Sequence, residues 1–239
     1  MKKKISFVIF TLLAFLATGS CSKKQKTEAE IEREQWIAGF SDSINYYQDQ
    51  TAQIDSRLET LNGIIGNLLE NFEYVRNPRE VTGYYIQKGW NSKIPFTTTG
   101  IYARVNDNEK LELIATLAGN TFNKIGVGDF SSETVPHDQA FNYRHQRFNT
   151  VYFSGGKADT IAQYIAEHAK EKINLHFMEG NKKVDFAIPQ NEKDMIQQTW
   201  QLYSAKSEAL KLQKELWMNS RKIETFRRIM DANNAKPEP

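Results

Sequence analysis

Residues 37–75 read IAGFSDSINYYQDQTAQIDSRLETLNGIIGNLLENFEYV. Apolar side chains recur at Ile37, Phe40, Ile44, Tyr47, Ile54, Leu58, Leu61, Ile65, Leu68, Phe72 and Val75, with spacings that alternate between three and four. Thr51 is the one polar member of the series. Such an alternation keeps a single apolar stripe on one side of a helix, the a/d pattern of a coiled coil. Asn77-Pro78 is the expected stop, because proline lacks a donor and disfavours helical geometry in the residue before it.

The C-terminal third repeats the arrangement. After Pro189, with Asn191 a candidate N-cap and Asp194 in the first turn, the stripe runs Met195, Gln198, Leu202, Ala205, Ala209, Leu212, Leu216, Asn219, Ile223, Phe226, Met230. Two such helices flanking a central region pair as an antiparallel hairpin. Setting Val75 level with Met195 puts Leu61 opposite Ala209, Ile65 opposite Ala205, and the polar Thr51 opposite the polar Asn219, and the flanking positions bring Arg57 opposite Glu215. Gly63 and Gly66 fall on the outer side of the first helix, where they permit a bend or a close contact.

Between the helices, β-branched and aromatic residues rise and glycine punctuates the chain. Residues 99–105 and 110–117 read as a hairpin around Asn106-Asp107-Asn108-Glu109, with weaker strands at 82–88 and 123–127. A strand at 148–154 leads through Gly155-Gly156 into a helix over 158–172, and 174–179 with 183–188 forms a second hairpin around Gly180-Asn181. Residues 126–147 read as a long polar loop of the kind that carries binding groups. The predicted fold class is α+β: a long antiparallel two-helix coiled-coil hairpin formed by the N- and C-terminal helices, with an inserted antiparallel β-sheet domain carrying one helix. The expected boundaries are 1–20 for an export signal, 21–33 for a flexible leader, and 34–77 for the first stalk helix. They continue with 78–189 for the α+β domain, 190–232 for the second stalk helix and 233–239 for a disordered tail.

The export signal consists of basic Met1–Lys4 and an apolar run over Ile5–Ala17, too short for a comfortable span of roughly 20 residues. It ends in Leu16-Ala17-Thr18-Gly19-Ser20-Cys21, and Cys21 is the only cysteine in 239 residues. This segment resembles the lipobox of bacterial membrane lipoproteins, with Thr18 where that family prefers leucine. The resemblance covers only the export signal. It implies that Cys21 carries the lipid, that Ser22 is compatible with sorting to the outer membrane, and that the membrane is a partner through the anchor. The basic Lys23-Lys24-Gln25-Lys26 that follows favours a periplasm-facing location in the cell envelope. Cleavage after Gly19 to release a soluble periplasmic protein is the competing reading. With Cys21 acylated, no thiol remains for a disulfide.

Removing residues 1–20 leaves 219, enough for a proper core, and the formal net charge of +2 owes much to the basic leader. No basic patch of nucleic-acid type stands out. No cofactor signature is present, and no histidine pair has metal-ligand spacing. His168 falls on the apolar side of its helix, the setting of a partly buried, hydrogen-bonded histidine, while His176 alternates out of its strand's core face. His137 and His145 lie in the polar loop. Gly155-Gly156-Lys157 before a helix has the elements of an anion-binding turn and also of an ordinary loop. Asp129, Glu133 and Asp138 are acids with no defined mutual spacing, so a hydrolase is unsupported.

Two features point to recognition. Ile196, Trp200, Tyr203, Leu210 and Trp217 form a second stripe on the back of the last helix, a candidate interaction face for a protein partner or a second copy unless the central domain covers it. Tyr84, Tyr85, Trp90 and Tyr102 are the candidate aromatic contacts of a ligand-binding domain. The leading expectation is a non-enzymatic, lipid-anchored envelope protein that presents its α+β domain on a helical stalk for contact with envelope proteins or polymers. A lipoprotein binding a sugar or other small molecule comes second, and an envelope hydrolase third.

Overall fold

The computed structural model describes residues 27–76 and 82–234. Cys21, the export signal, the Asn77-Pro78 stop and the tail at 235–239 lie outside the described residues.

Helix α1 spans Glu28–Leu69, beginning inside the segment expected to be a flexible leader. The cause is a capping box. Thr27 Oγ1 accepts from the Glu30 amide at 3.3 Å, and the Glu30 carboxylate accepts from the Thr27 amide at 2.6 Å. Glu28 and Glu30 also place negative charge at the positive end of the helix dipole. The helix ends at Leu69, well before the expected stop, and Phe72–Val75 forms strand β1 instead of a last turn. Phe72 and Val75 satisfy a heptad spacing, yet pairing with β2 (Tyr84–Gln87) buries Phe72 and exposes Tyr74.

The chain continues through β3 (Gly100–Asn106), β4 (Leu111–Ala118), β5 (Lys124–Val127), β6 (Phe130–Glu133), a short helix α2 (Pro136–Gln139), β7 (Tyr143–His145) and β8 (Phe148–Ser154). Helix α3 (Gly156–Glu167), β9 (Asn174–Glu179), β10 (Lys182–Ala187) and α4 (Gln190–Asn234) complete it. The fold class is the expected α+β, with the two long helices packed together and an antiparallel domain between them. The domain holds two sheets instead of one, ordered β1-β2-β3-β4-β8-β7 and β10-β9-β5-β6. The segment read as a long loop contributes β6, α2 and β7, two of them edge strands. Helix α3 packs Ala158, Ile161, Ala162 and Ile165 into a core shared with Phe122, Phe153 and Phe177.

The hairpin is antiparallel as expected, and Leu61 with Ala209, Ile65 with Ala205, Leu58 with Leu212 and Ile54 with Leu216 fall in one cluster. Phe226 lies between Phe40 at 5.4 Å and Tyr47 at 6.0 Å, the rings on either side of Ile44, which the expected register sets opposite it. Arg57 pairs with Glu208 at 2.9 Å and not with Glu215. Large faces small as expected, since Ile54, Leu58 and Leu61 pack on Ala205 and Ala209. The expected Thr51–Asn219 hydrogen bond does not form: Thr51 Oγ1 is buried without a partner. Nothing lies within 4 Å of where a Cβ would stand at Gly63 or Gly66, so neither glycine makes a close contact.

The root of α4 belongs to the domain. Met195 and Leu202, read as seam positions, enter the domain core, and Gln198 accepts from Gln87 of β2 at 2.8 Å. Strand β2 pairs with β3 only at Val105 and Asn106, which leaves the other end of that edge to α4. There the Ile101 amide donates to Glu192 Oε2 at 3.0 Å and the Ala103 amide to Met195 Sδ at 3.4 Å. A helix thus covers an edge that would otherwise offer free backbone donors.

Replacing Thr51 with valine keeps the shape and removes the orphaned hydroxyl. The expected outcome is a gain of about 1 kcal/mol in a urea titration; a loss of stability would mean that the hydroxyl has a partner after all.

Candidate functional site

Strand β8 ends at Ser154, and the chain turns through Gly155 at φ +83°, a conformation that favours glycine, into α3. The first turn of α3 carries Asp159, and α4 brings Tyr203 over it. With Lys110 and Leu111 from the start of β4, these residues line a cleft of about 150 Å³. Tyr203 donates its hydroxyl to Asp159 Oδ2 at 3.0 Å. Burial raises the Asp159 carboxyl above its usual range, and the Tyr203 bond pulls it partly back. Burial, then the charge of Asp159, pushes the Tyr203 phenol up to about 12, so it remains a donor across the physiological range. The cleft therefore offers a carboxylate acceptor, a serine hydroxyl and a lysine, arranged around a short apolar floor at Leu111. Asp159 already supplies negative charge at the α3 N-terminus, which disfavours a free anion at Gly155-Gly156-Lys157.

The four aromatic residues expected to hold a ligand are mostly core. Tyr84, Trp90 and Tyr102 are buried. Phe96 stacks on Tyr102 at 3.8 Å, Trp90 meets the same ring edge-on at 5.1 Å, and the Arg104 guanidinium lies 4.0 Å over Tyr84. Only Tyr85 stays partly open, between Tyr74 at 5.2 Å and the Lys206 ammonium at 4.8 Å. Burial of both sheet faces, which a single strand's pattern does not reveal, removes these rings from solvent.

The second stripe on α4 divides in two. Ile196 is fully buried, and Trp200 and Tyr203 pack on the domain core, so the central domain covers this half. Leu210 and Trp217 lie beyond the domain, 37% and 62% exposed, with the Arg221 guanidinium 5.2 Å from the indole centroid.

The acids of the 126–147 segment do not converge. Asp129 is exposed on the β5–β6 turn, and Glu133 pairs with Lys124 at 3.5 Å. Asp138 is buried, accepts from Ser154 Oγ at 3.0 Å through Oδ1, and leaves Oδ2 without a partner. His168 is half-buried, with Nδ1 2.9 Å from the Tyr164 carbonyl, and His176 Nδ1 lies 2.7 Å from Asp185, off the core side of β9. Among the described residues, no group of three or more His, Cys, Asp or Glu side chains gathers as a metal site.

No protein-family model, no curated protein and no solved structure matches the chain. Gly155, at the turn into α3, is the cleft's one local signal in the sequence; its other walls come from β4 and α4, which are distant along the chain.

Trp200→Gln is expected to lower stability by about 2 kcal/mol or more, of the order of a large-to-small core change. Trp217→Gln should stay within about 0.5 kcal/mol of the parent, as surface changes do. Equal losses in paired denaturation curves would mean that Trp217 is covered as well.

Proposed function

We propose that the protein is a lipid-anchored envelope protein of the outer membrane, facing the periplasm, whose helical hairpin presents the α+β domain to envelope proteins or polymers. The observation that carries this reading is the direction of the hairpin. Arg33 donates to the Asn233 carbonyl at 3.0 Å, so the start of α1 and the end of α4 share one end, while the domain occupies the other. Only residues 22–27 separate Cys21 from α1, a reach of about 20 Å at most. The stretch of α1 from Glu28 to the buried Leu61 adds roughly 50 Å. An anchor at Cys21 would hold the hairpin's open end near the bilayer and the domain well away from it. Among the described residues no helix is long and apolar enough to cross a membrane.

Cys21→Ala should abolish metabolic labelling with fatty acid and move the protein out of the membrane fraction. An unchanged distribution with no labelling of the parent would remove the anchor.

A second reading rests on the Asp159–Tyr203 cleft, whose acceptor, hydroxyl and ammonium suit a small hydroxyl-rich ligand such as a sugar unit. Calorimetric titration with a monosaccharide panel should find heat that Asp159→Asn suppresses at least tenfold. Absence of heat across the panel, or heat indifferent to Asp159→Asn, would discard the cleft as a sugar site.

A further inference from the structure

Asp159 is a half-buried carboxylate with a fixed direction and no positive partner. Its Oδ2 takes the Tyr203 hydroxyl at 3.0 Å, which pins the carboxyl between α3 and α4. Its Oδ1 accepts no hydrogen bond from the described residues, and the residue lines the cleft of about 150 Å³. Lys206, three residues along α4 from Tyr203, turns instead to Glu109 at 4.0 Å and to the Tyr85 ring at 4.8 Å. Lys110 lines the cleft without pairing with Asp159, whose carboxyl is shifted by burial and by the Tyr203 bond and by no cation. The Tyr203 hydroxyl and the positive end of the α3 dipole both favour the ionised form.

We propose, on the reading of this cleft as a ligand site, that it selects a primary ammonium, which donates to Asp159 Oδ1 while the attached carbon skeleton lies on Leu111. A carboxylate engaged through one oxygen offers the other to a charged donor. That hydrogen bond is about twice as strong as one from a neutral hydroxyl, and partial exclusion of water strengthens it further. Anionic ligands are opposed by Asp159 itself. A metal ion lacks ligands, since no histidine and no second acid lines the cleft. Size narrows the class as well, because a cavity of about 150 Å³ holds on the order of six heavy atoms, one benzene ring. The enclosed part is therefore a single amine-bearing unit. A hexosamine and a free amino acid both carry that group.

The test is calorimetric titration of the full mature chain at about pH 7, where an aliphatic amine is mostly protonated. Glucosamine is compared with glucose and N-acetylglucosamine, and alanine with N-acetylalanine. At least one of the two amines should bind about tenfold or more tightly than its acetylated form, the gap between a charged and a neutral donor. Which of them does so identifies the source of the ammonium. Asp159→Asn should erase that preference, and the ratio in the parent decides the matter where the variant fails to fold. Equal binding of glucose, glucosamine and N-acetylglucosamine, with no preference for alanine, would overturn the ammonium selectivity and leave the sugar reading standing. A preference that survives Asp159→Asn would overturn it too, by placing the amine elsewhere. No heat from any of the five compounds would remove both the selectivity and the cleft as a ligand site.

Discussion

One helix serves two structures in succession, and the rest of the molecule is arranged around that constraint. Helix α4 runs unbroken from Gln190 to Asn234. An α-helix cannot change face along its length, so the stripe that meets α1 in the stalk continues into the domain. Ala205 and Ala209 face Ile54, Leu58 and Leu61, whereas Met195 and Leu202, on the same stripe, lie in the domain core. The partner changes because α1 ends at Leu69 and β2 and β3 take its place. Ile196, Trp200 and Tyr203, on the back of the helix, are covered only at the root, where the domain also lies behind it. The domain's position relative to the stalk is thus fixed by the phase of a single helix.

Burial follows the same gradient. Next to the domain the two helices make a dry cluster in which alanines on α4 accept isoleucine and leucines from α1. Toward the open end aromatic rings replace this packing: Trp36 on Phe40 at 4.4 Å, Phe40 on Phe226 at 5.4 Å, and Tyr47 beside Phe226 at 6.0 Å. Large rings recover contact area where a two-helix seam stays half open to solvent. The Arg57–Glu208 pair, with both side chains about half exposed, contributes between nothing and about 1 kcal/mol. Stability of the stalk accordingly comes from its apolar seam and from its root in the domain.

The hairpin was legible because three-four alternation sustained over many turns is the period of a helix seam and of neither a strand nor a loop. Its register followed from the helix ends, since Leu61 with Ala209 and Ile65 with Ala205 share one cluster. The hydrogen bond expected of the Thr51–Asn219 layer did not follow, and the root of the seam was misread because the domain, remote in sequence, takes Met195 and Leu202 into its core. Phe72 and Val75 misled for a related reason, since a spacing of three fits a heptad while the decisive partner, β2, is remote from the local pattern. Strands β6 (FSSE) and β7 (YRH) show no apolar alternation because each is a short edge strand. Strands β8 and β9 are apolar on their core side, and their ends coincide with those expected from the sequence. The Asp159–Tyr203 cleft needs α3 and α4 side by side, which no local pattern encodes.

The joint also fixes how firmly the domain is presented. Both long helices enter the domain at neighbouring points: α1 through the short turn at Glu70-Asn71 and α4 through its own first turns. Two connections hold an orientation that one would leave free to swivel, and a rigidly presented surface loses less freedom when it binds. The β1 connection is a strand hydrogen-bonded to β2. The α4 connection rests on Met195, Ile196 and Leu202 in the core and on polar contacts from Glu192 to the Ile101 amide, from Gln197 to the Ala166 carbonyl and from Gln198 to Gln87. Because α4 is held by several contacts on β2, β3 and α3, losing any single one would leave the domain fixed against the stalk.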